Sequence, residues 1–157
     1  MEFLASTLMA IADQMGLESI EKLALQPGVR AVYRLTIRYH DRRARDAVAT
    51  VTRSGVEGVR VEVVFRKLFE DKPFISKMQQ ADYEEMVAEL EQVHFDKLND
   101  QANIPSYGVD LWMWERAAGT FHRSVIFSPE AATGVYERLR ALAYSCLPEV
   151  VREVGND

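Results

Sequence analysis

The chain has 157 residues, of which 48% are hydrophobic and 27% charged, a composition typical of one globular domain rather than of a disordered segment. The net charge of −5 and the pI near 5.3 argue against a general nucleic-acid-binding protein, and no hydrophobic run reaches the roughly 18–20 residues of a membrane span. The lone Cys146 excludes an intrachain disulfide framework and fits a reducing compartment such as the cytoplasm.

The N-terminal segment 1–27 is predicted to be helical, because its hydrophobic residues recur three and four positions apart. Gly16 can divide this helix, and Pro27-Gly28 ends it. The first twelve residues also resemble the hydrophobic part of a signal peptide. They carry Glu2 where a positively charged start is expected, which favours an amphipathic helix.

Segment 28–66 is predicted to form a three-stranded antiparallel meander. Between Val29 and His40 hydrophobic and polar residues alternate, which indicates a strand with one buried face that includes Tyr33, Leu35 and Ile37. Strands at 46–53 and 59–66 follow after short polar turns.

The remaining segments complete an α+β fold. Pro73 excludes a regular central strand, although 74–78 can form a short edge strand. Segment 79–98 holds the middle helix, 107–127 a hairpin, and 128–147 a C-terminal helix that starts at Ser128-Pro129-Glu130. We predict one domain with a single antiparallel sheet of about five strands, meander plus hairpin, and helices mainly on one face. The hairpin can join either edge of the meander.

The hairpin region resembles a pattern found in small bacterial α+β proteins without an assigned activity. The pattern combines a W-x-x-E strand, a Gly turn, an aromatic-His pair and an S-P-E helix start. The resemblance implies this architecture and no particular chemistry. The residues that carry it are Asp110, Trp112, Trp114, Glu115, Gly119, Phe121, His122, Ser128, Pro129 and Glu130.

The hairpin also holds the candidate catalytic residues Glu115, His122 and Asp110. A two-residue turn at Ala118-Gly119 would set Glu115 opposite His122, and a carboxylate beside an imidazole can form an acid–base pair. A cross-strand charge pair is the favoured interpretation, so we expect His122 to be structural. Asp110 is more simply explained as a cap at the start of the strand.

Candidate ligand-binding residues lie on the first strand of the meander and on both strands of the hairpin. A row of guanidinium groups suits phosphate or carboxylate, while Trp114 opposite Arg123 can form a cation–π pair. A solvated sheet face and ordinary packing are the favoured interpretations. The candidates are Arg30, Arg34, Arg38, Trp112, Trp114 and Arg123.

An uneven charge distribution suggests a protein contact. Residues 28–68 carry ten lysines and arginines against four acids, a balance of +6, whereas the rest of the chain has a balance of −11. The acidic middle helix of one subunit can therefore meet the basic strands of another. We expect self-association through the basic face or a sheet edge.

No motif for a metal, cofactor or nucleophile is recognisable. His40, His94 and His122 lie on separate elements without paired spacing, and the sequence has no glycine-rich phosphate loop. We therefore expect a small bacterial, cytoplasmic, non-enzymatic binding or protein-interaction module that forms a homodimer or binds another protein, and no cofactor, nucleic acid or membrane. The alternative is an enzyme or small-anion-binding protein that uses Asp110, Glu115, His122 and Arg123.

Overall fold

One antiparallel sheet organises the protein. The computed structural model describes residues 2–41, 44–55, 58–66, 73–105 and 107–151, and these residues form six strands and four α-helices. In chain order the elements are α1 (Glu2–Gln14), α2 (Ile20–Ala24), β1 (Val29–Arg38), β2 (Ala47–Ser54), β3 (Gly58–Phe65), β4 (Phe74–Met78), α3 (Gln80–Gln92), β5 (Leu111–Ala118), β6 (Phe121–Phe127) and α4 (Val135–Cys146).

The strand order is β4-β3-β2-β1-β5-β6, with antiparallel pairing throughout. The predicted α+β class and single antiparallel sheet are confirmed. The described strands number six rather than about five, because Phe74–Met78 pairs with β3 as an edge strand. The hairpin joins the β1 side of the meander, which makes β1 a central strand.

The first face of the sheet packs against α3 and α4. Tyr33, Leu35 and Ile37 on β1 are at most 3% exposed, as predicted, and share a hydrophobic cluster with Met86 of α3 and Leu139 of α4. This cluster is the main core. It also contains residues 147–151, which follow α4.

The second face is also covered, so the prediction of helices mainly on one face is wrong. Leu8 of α1 packs in a cluster with Met113, and Ile20 of α2 packs in another with Val32 and Ala117. β1 is therefore buried on both sides along most of its length rather than half-buried. The sequence did not indicate that the second face is buried, because Arg34 on that face is charged and yet lies in the interior.

The N-terminal segment divides where the sequence predicts. Gly16 has a φ of +78°, which other residues adopt at a cost, and the chain turns there between α1 and α2. Ser19 then caps α2, since its side chain accepts a hydrogen bond from the Lys22 backbone N–H.

The C-terminal helix begins later than predicted. Pro129–Ala131 forms a single 3₁₀ turn, and α4 starts at Val135 rather than at Ser128. Ser128 donates its side-chain hydrogen bond to Glu130 and makes no capping bond. The extended conformation of Ala132 and the positive φ of Gly134 separate the turn from the helix.

Some sequence predictions fall outside the described residues. They are the predicted turns of the meander at 42–43 and 56–57. Among the described helices, none combines the length and hydrophobicity that a bilayer crossing requires.

Candidate functional site

The β5–β6 hairpin turns at Gly119-Thr120, one residue later than predicted. Ala118 pairs with Phe121, and Glu115 therefore lies opposite Ser124 instead of His122. Gly119 has a φ of +56°, which suits the first position of a two-residue hairpin turn. The cross-strand partner of each residue is therefore shifted by two positions. Because side chains alternate between the two faces with a period of two, each residue keeps its predicted face of the sheet.

Glu115 and His122 still meet, as diagonal neighbours. His122 Nε2 lies 2.9 Å from Glu115 Oε2, and its Nδ1 lies 3.7 Å from Glu21 of α2. The hydrogen bond to Glu115 raises the pKa of His122, while burial opposes the rise and the negative charges of Glu115 and Glu21 add to it. The pair therefore favours the imidazolium form of His122.

Glu115 belongs to a row of residues that crosses the sheet on the second face. Cross-strand partners in this row are Ser124, Glu115, Arg34, Thr50 and Glu62, one on each of five strands. Arg34 is 3% exposed and Glu115 is 6% exposed. Along this row Arg34 has Glu115 as its direct partner on one side, and on the other side Thr50 separates it from the partly exposed Glu62. We call Ser124, Glu115, Arg34, Thr50 and Glu62 the polar row.

Arg34 is the centre of the polar row. Its Nε donates a 2.9 Å hydrogen bond to Thr50 Oγ1. Burial lowers the pKa of Arg34, whereas the negative charges of Glu115 and Glu62 raise it. Because a guanidinium stays protonated in proteins, the buried positive charge needs these acids. Arg34 therefore makes its contacts inside the protein and is not exposed at a surface where a ligand could bind.

The other arginines of β1 do not form a row with Arg34 at the surface. Arg30 is exposed and its guanidinium lies beside Gly55. Arg38 is half-buried. The predicted line of three guanidinium groups is interrupted, because α1 and α2 cover the middle of the strand. This arrangement does not supply the anion-binding face that the sequence suggested.

The two tryptophans lie on the first face and are packed in the core. Trp114 is fully buried, and its Nε1 donates a 3.2 Å hydrogen bond to the Leu139 carbonyl on α4. Trp112 is 5% exposed, and its ring lies 5.9 Å from Phe127 between centroids. Arg123 shares this face, where its Nη2 donates to the Leu98 carbonyl. Trp114 lies opposite Val125, so the predicted pairing with Arg123 is wrong.

Asp110 lies at another end of the sheet. It accepts hydrogen bonds from the backbone N–H of His40 at 3.1 Å and from His40 Nδ1 at 2.7 Å. Five residues along an extended chain separate Asp110 from Glu115, a distance of roughly 16 Å. The four residues of the enzyme alternative therefore occupy three places: Asp110 at the strand end, Glu115 with His122 on the second face, and Arg123 on the first.

A cavity of about 230 Å³ lies on the first face, beneath the end of α3. Its wall includes Tyr33, His94 and Arg116, and Arg116 Nη1 lies 3.1 Å from Asp96 Oδ2. His94 adopts a φ of +54°, a left-handed conformation that is uncommon outside glycine. His94 and Asp96 are near each other in the sequence, but the sequence does not indicate that Arg116 lines the same cavity. His122 does not line this cavity.

The C-terminal end of the β6 edge is covered by residues 100–101. Gln101 N–H donates to the Ile126 carbonyl at 2.9 Å. The side chain of Asp100 accepts from Ile126 N–H at 2.8 Å, and that of Gln101 accepts from Ser128 N–H at 2.9 Å. The outward N–H and C=O of Ile126, at the end of β6, thus have partners within the chain.

Among the residues that the structure describes, none covers the outer edge of β4. Its hydrogen-bonding partners among the described residues belong to β3 and lie on its inner side. Phe74 is 49% exposed and Ile75 is 53% exposed, and the two side chains point to opposite faces of the sheet. An uncovered edge with hydrophobic side chains is a ready template for another strand.

A comparison with protein-family models finds no match, and a search of curated proteins finds no significant similarity.

Proposed function

We propose that this protein is a non-enzymatic interaction module that pairs with a second copy of itself through β4. The observation that carries the proposal is the contrast between the two sheet edges. Residues 100–101 cover the C-terminal end of β6, whereas Phe74 and Ile75 project from β4, whose outer edge has no hydrogen-bonding partner among the described residues. Pairing of two β4 strands would satisfy their outer N–H and C=O groups and remove hydrophobic surface from water.

The arrangement favours a dimer over a longer assembly. A sheet with two open edges can add copies at both ends and grow into a fibre. Here residues 100–101 already bind the end of β6 and hinder pairing at that edge, whereas the described residues leave the outer side of β4 free of such contacts. Antiparallel pairing of β4 with its copy is a two-fold contact, and it closes after one partner.

A register centred on Ile75 suits the side chains of β4. It brings the two Ile75 side chains together as a directly opposed pair, which stabilises antiparallel sheets. It also keeps the two Lys77 ammonium groups on residues roughly 14 Å apart along the strands. Pro73 and Lys77 limit the pairing to the few residues between them, since proline lacks the N–H and a lysine disfavours burial. The dimer is therefore expected to dissociate on dilution.

Sedimentation velocity at increasing protein concentration tests this proposal. We expect the wild-type protein to shift from monomer to dimer, and Ile75→Lys to stay monomeric because it places a charge at the centre of the contact. Phe121→Lys is the matched control, since Phe121 is a 40% exposed hydrophobic residue on the other edge strand. It should dimerise like wild type. A wild-type monomer at every concentration, or dimers of Ile75→Lys at wild-type concentrations, would overturn the proposal.

We also propose a bacterial, cytoplasmic setting for this module. The setting rests on the resemblance of the hairpin to small bacterial proteins and on Cys146 being the lone cysteine.

A further inference from the structure

The cavity of about 230 Å³ beneath the end of α3 has an apolar inner wall and a charged rim. Its apolar wall consists of Tyr33, Leu90 and Phe95, each at most 4% exposed, and the half-buried Val87. An apolar cavity of roughly 150 Å³ holds benzene. This cavity therefore has room for a group of that size and for a small charged group beside it. The polar residues of its rim are Glu91, His94, Asp96, Lys97 and Arg116.

Fixed contacts shape the charged end of the cavity. The 3₁₀ turn Phe95–Lys97 follows α3, and the Lys97 backbone N–H donates to the His94 carbonyl at 2.9 Å. Arg116 of β5 joins this turn to the sheet, because its Nη1 lies 3.1 and 3.3 Å from the two carboxylate oxygens of Asp96. The walls are thus held in place before a ligand arrives, which lowers the entropic cost of binding.

Arg116 retains hydrogen-bond donors that a ligand can use. A guanidinium carries five N–H donors in a planar fork. Asp96 engages Nη1, and no described residue forms a hydrogen bond with Nε or Nη2 of Arg116. The Lys97 ammonium forms no ion pair within the described part of the chain. Two cationic side chains on one cavity rim suit a carboxylate ligand.

The charges around this end of the cavity also favour an anion. Arg116 lies directly opposite Arg123 across the hairpin, and like charges in that position repel each other. Arg123 has no ion pair with a described residue, and its Nε is buried without a hydrogen-bond partner among them. With Lys97, these arginines outnumber the two acids of the rim, Glu91 and Asp96. A bound carboxylate offsets this surplus of positive charge.

We propose that this cavity binds a small carboxylic acid whose apolar body is about the size of a phenyl ring. The carboxylate accepts hydrogen bonds from Arg116 and Lys97, and the apolar body packs against the inner wall. Burial of the body supplies affinity, while the charged contacts fix its orientation. Glu91 has no ion pair with a described residue and suits an ammonium group, so free apolar amino acids belong to the same ligand class.

NMR titration of the full-length, ¹⁵N-labelled protein tests this site. The probes are 3-phenylpropionate and L-phenylalanine, with 3-phenylpropanamide as the neutral control that has the same apolar body. We expect saturable shifts of the amides of residues 94–97 and 116 with a carboxylate probe. Affinity for the neutral amide should be at least about tenfold lower, because it lacks the charge-assisted hydrogen bonds. Tighter binding of L-phenylalanine would identify amino acids as the source, and tighter binding of 3-phenylpropionate would identify simple carboxylates.

Two arginine variants separate a specific contact from general charge. Arg116→Gln should bind the carboxylate probes at least about tenfold more weakly than wild type. Arg140→Gln is the matched control, because Arg140 also pairs with an acid and lies over an aromatic ring, but outside the cavity wall. It should bind like wild type. Lys97→Gln, a change at an exposed position, provides a second test of the rim and should also weaken binding.

Three results would overturn the proposal: no saturable binding of either carboxylate, equal affinity for 3-phenylpropionate and its amide, or equal effects of Arg116→Gln and Arg140→Gln. Ile75→Lys should bind the probes like wild type, so failure of the dimer and failure of the cavity site are distinguishable.

Discussion

Arg34 and its acidic neighbours explain how a charge can lie inside the sheet. A buried guanidinium is costly by itself, and Glu115 and Glu62 flank it in the polar row. Among the described residues, removing Arg34 leaves Glu115 with only His122 as a positive partner, and removing Glu115 leaves Arg34 with only the more distant Glu62. The charged residues of the polar row therefore stabilise the fold together. A single substitution among them should lower the free energy of unfolding more than a comparable substitution at the surface.

Arg34→Met is expected to lower the free energy of unfolding by about 3–5 kcal/mol, because Glu115 would lose its buried counter-charge. Urea denaturation measures this loss. Arg38→Met is the matched control on the same strand and face, half-buried instead of buried, and should cost about 1 kcal/mol or less. The double variant Arg34→Met/Glu115→Leu should recover part of the loss. Equal effects of Arg34→Met and Arg38→Met would contradict the role of the polar row.

The Glu115–His122 contact predicts a stability that falls as pH rises. Its hydrogen bond raises the pKa of His122 in the folded protein. The contribution is therefore complete below the unfolded pKa of about 6.5 and disappears as pH passes above the folded pKa. Wild type should exceed His122→Gln by about 1 kcal/mol in mildly acidic solution. Urea denaturation of both proteins from acidic to basic pH checks this, and a difference that grows with pH would refute it.

The sequence predicted that Glu115 and His122 share a face, but not which residues oppose them. The face is determined by whether a residue occupies an odd or an even position along the strand. The exact cross-strand pairs depend on whether Ala118 belongs to the turn or to β5. The burial of Arg34 was not predictable from β1, because its two acidic neighbours come from β3 and β5. Likewise, His40 lies 70 positions before Asp110, and local spacing gives no sign that they meet.

At the level of elements, hydrophobic alternation predicted the strands well and helix placement poorly. Tyr33, Leu35 and Ile37 are buried under α3 and α4 as expected. The sequence did not predict that α1 and α2 cover the second face of the sheet, because the charged Arg34 on that face indicated exposure to solvent. The late start of α4 has a local cause. The S-P-E segment forms only a 3₁₀ turn, and Gly134, with its positive φ, changes the chain direction before α4 begins.

Leu35→Asp is expected to unfold the protein, because Leu35 is fully buried in the main core and a carboxylate there has no partner. Circular dichroism during heating should show no cooperative transition at the wild-type temperature. Ile75→Asp makes the same kind of change at a position that is 53% exposed on the same sheet, and its monomer should fold normally. A folded Leu35→Asp protein with the wild-type melting temperature would contradict the assigned topology.

At the scale of the whole molecule, the two sheet edges differ in a way that composition could not reveal. The sequence predicted self-association from the charge imbalance and from a short edge segment. The fold favours β4 as the associating edge, because residues 100–101 bind the end of β6 while β4 carries exposed Phe74 and Ile75. The dimer proposed here depends on backbone pairing and hydrophobic contact at β4 rather than on the basic face as a whole.

Hydrogen–deuterium exchange at several protein concentrations tests the β4 dimer most directly. As the protein passes from monomer to dimer, the outward-facing amides of residues 74–78 should exchange more slowly, because they gain hydrogen-bond partners. Amides of β6 should not change, since the proposed contact lies at the opposite edge and residues 100–101 already bind the end of β6. Dimerisation without added protection in 74–78, or with protection at β6 instead, would contradict the account.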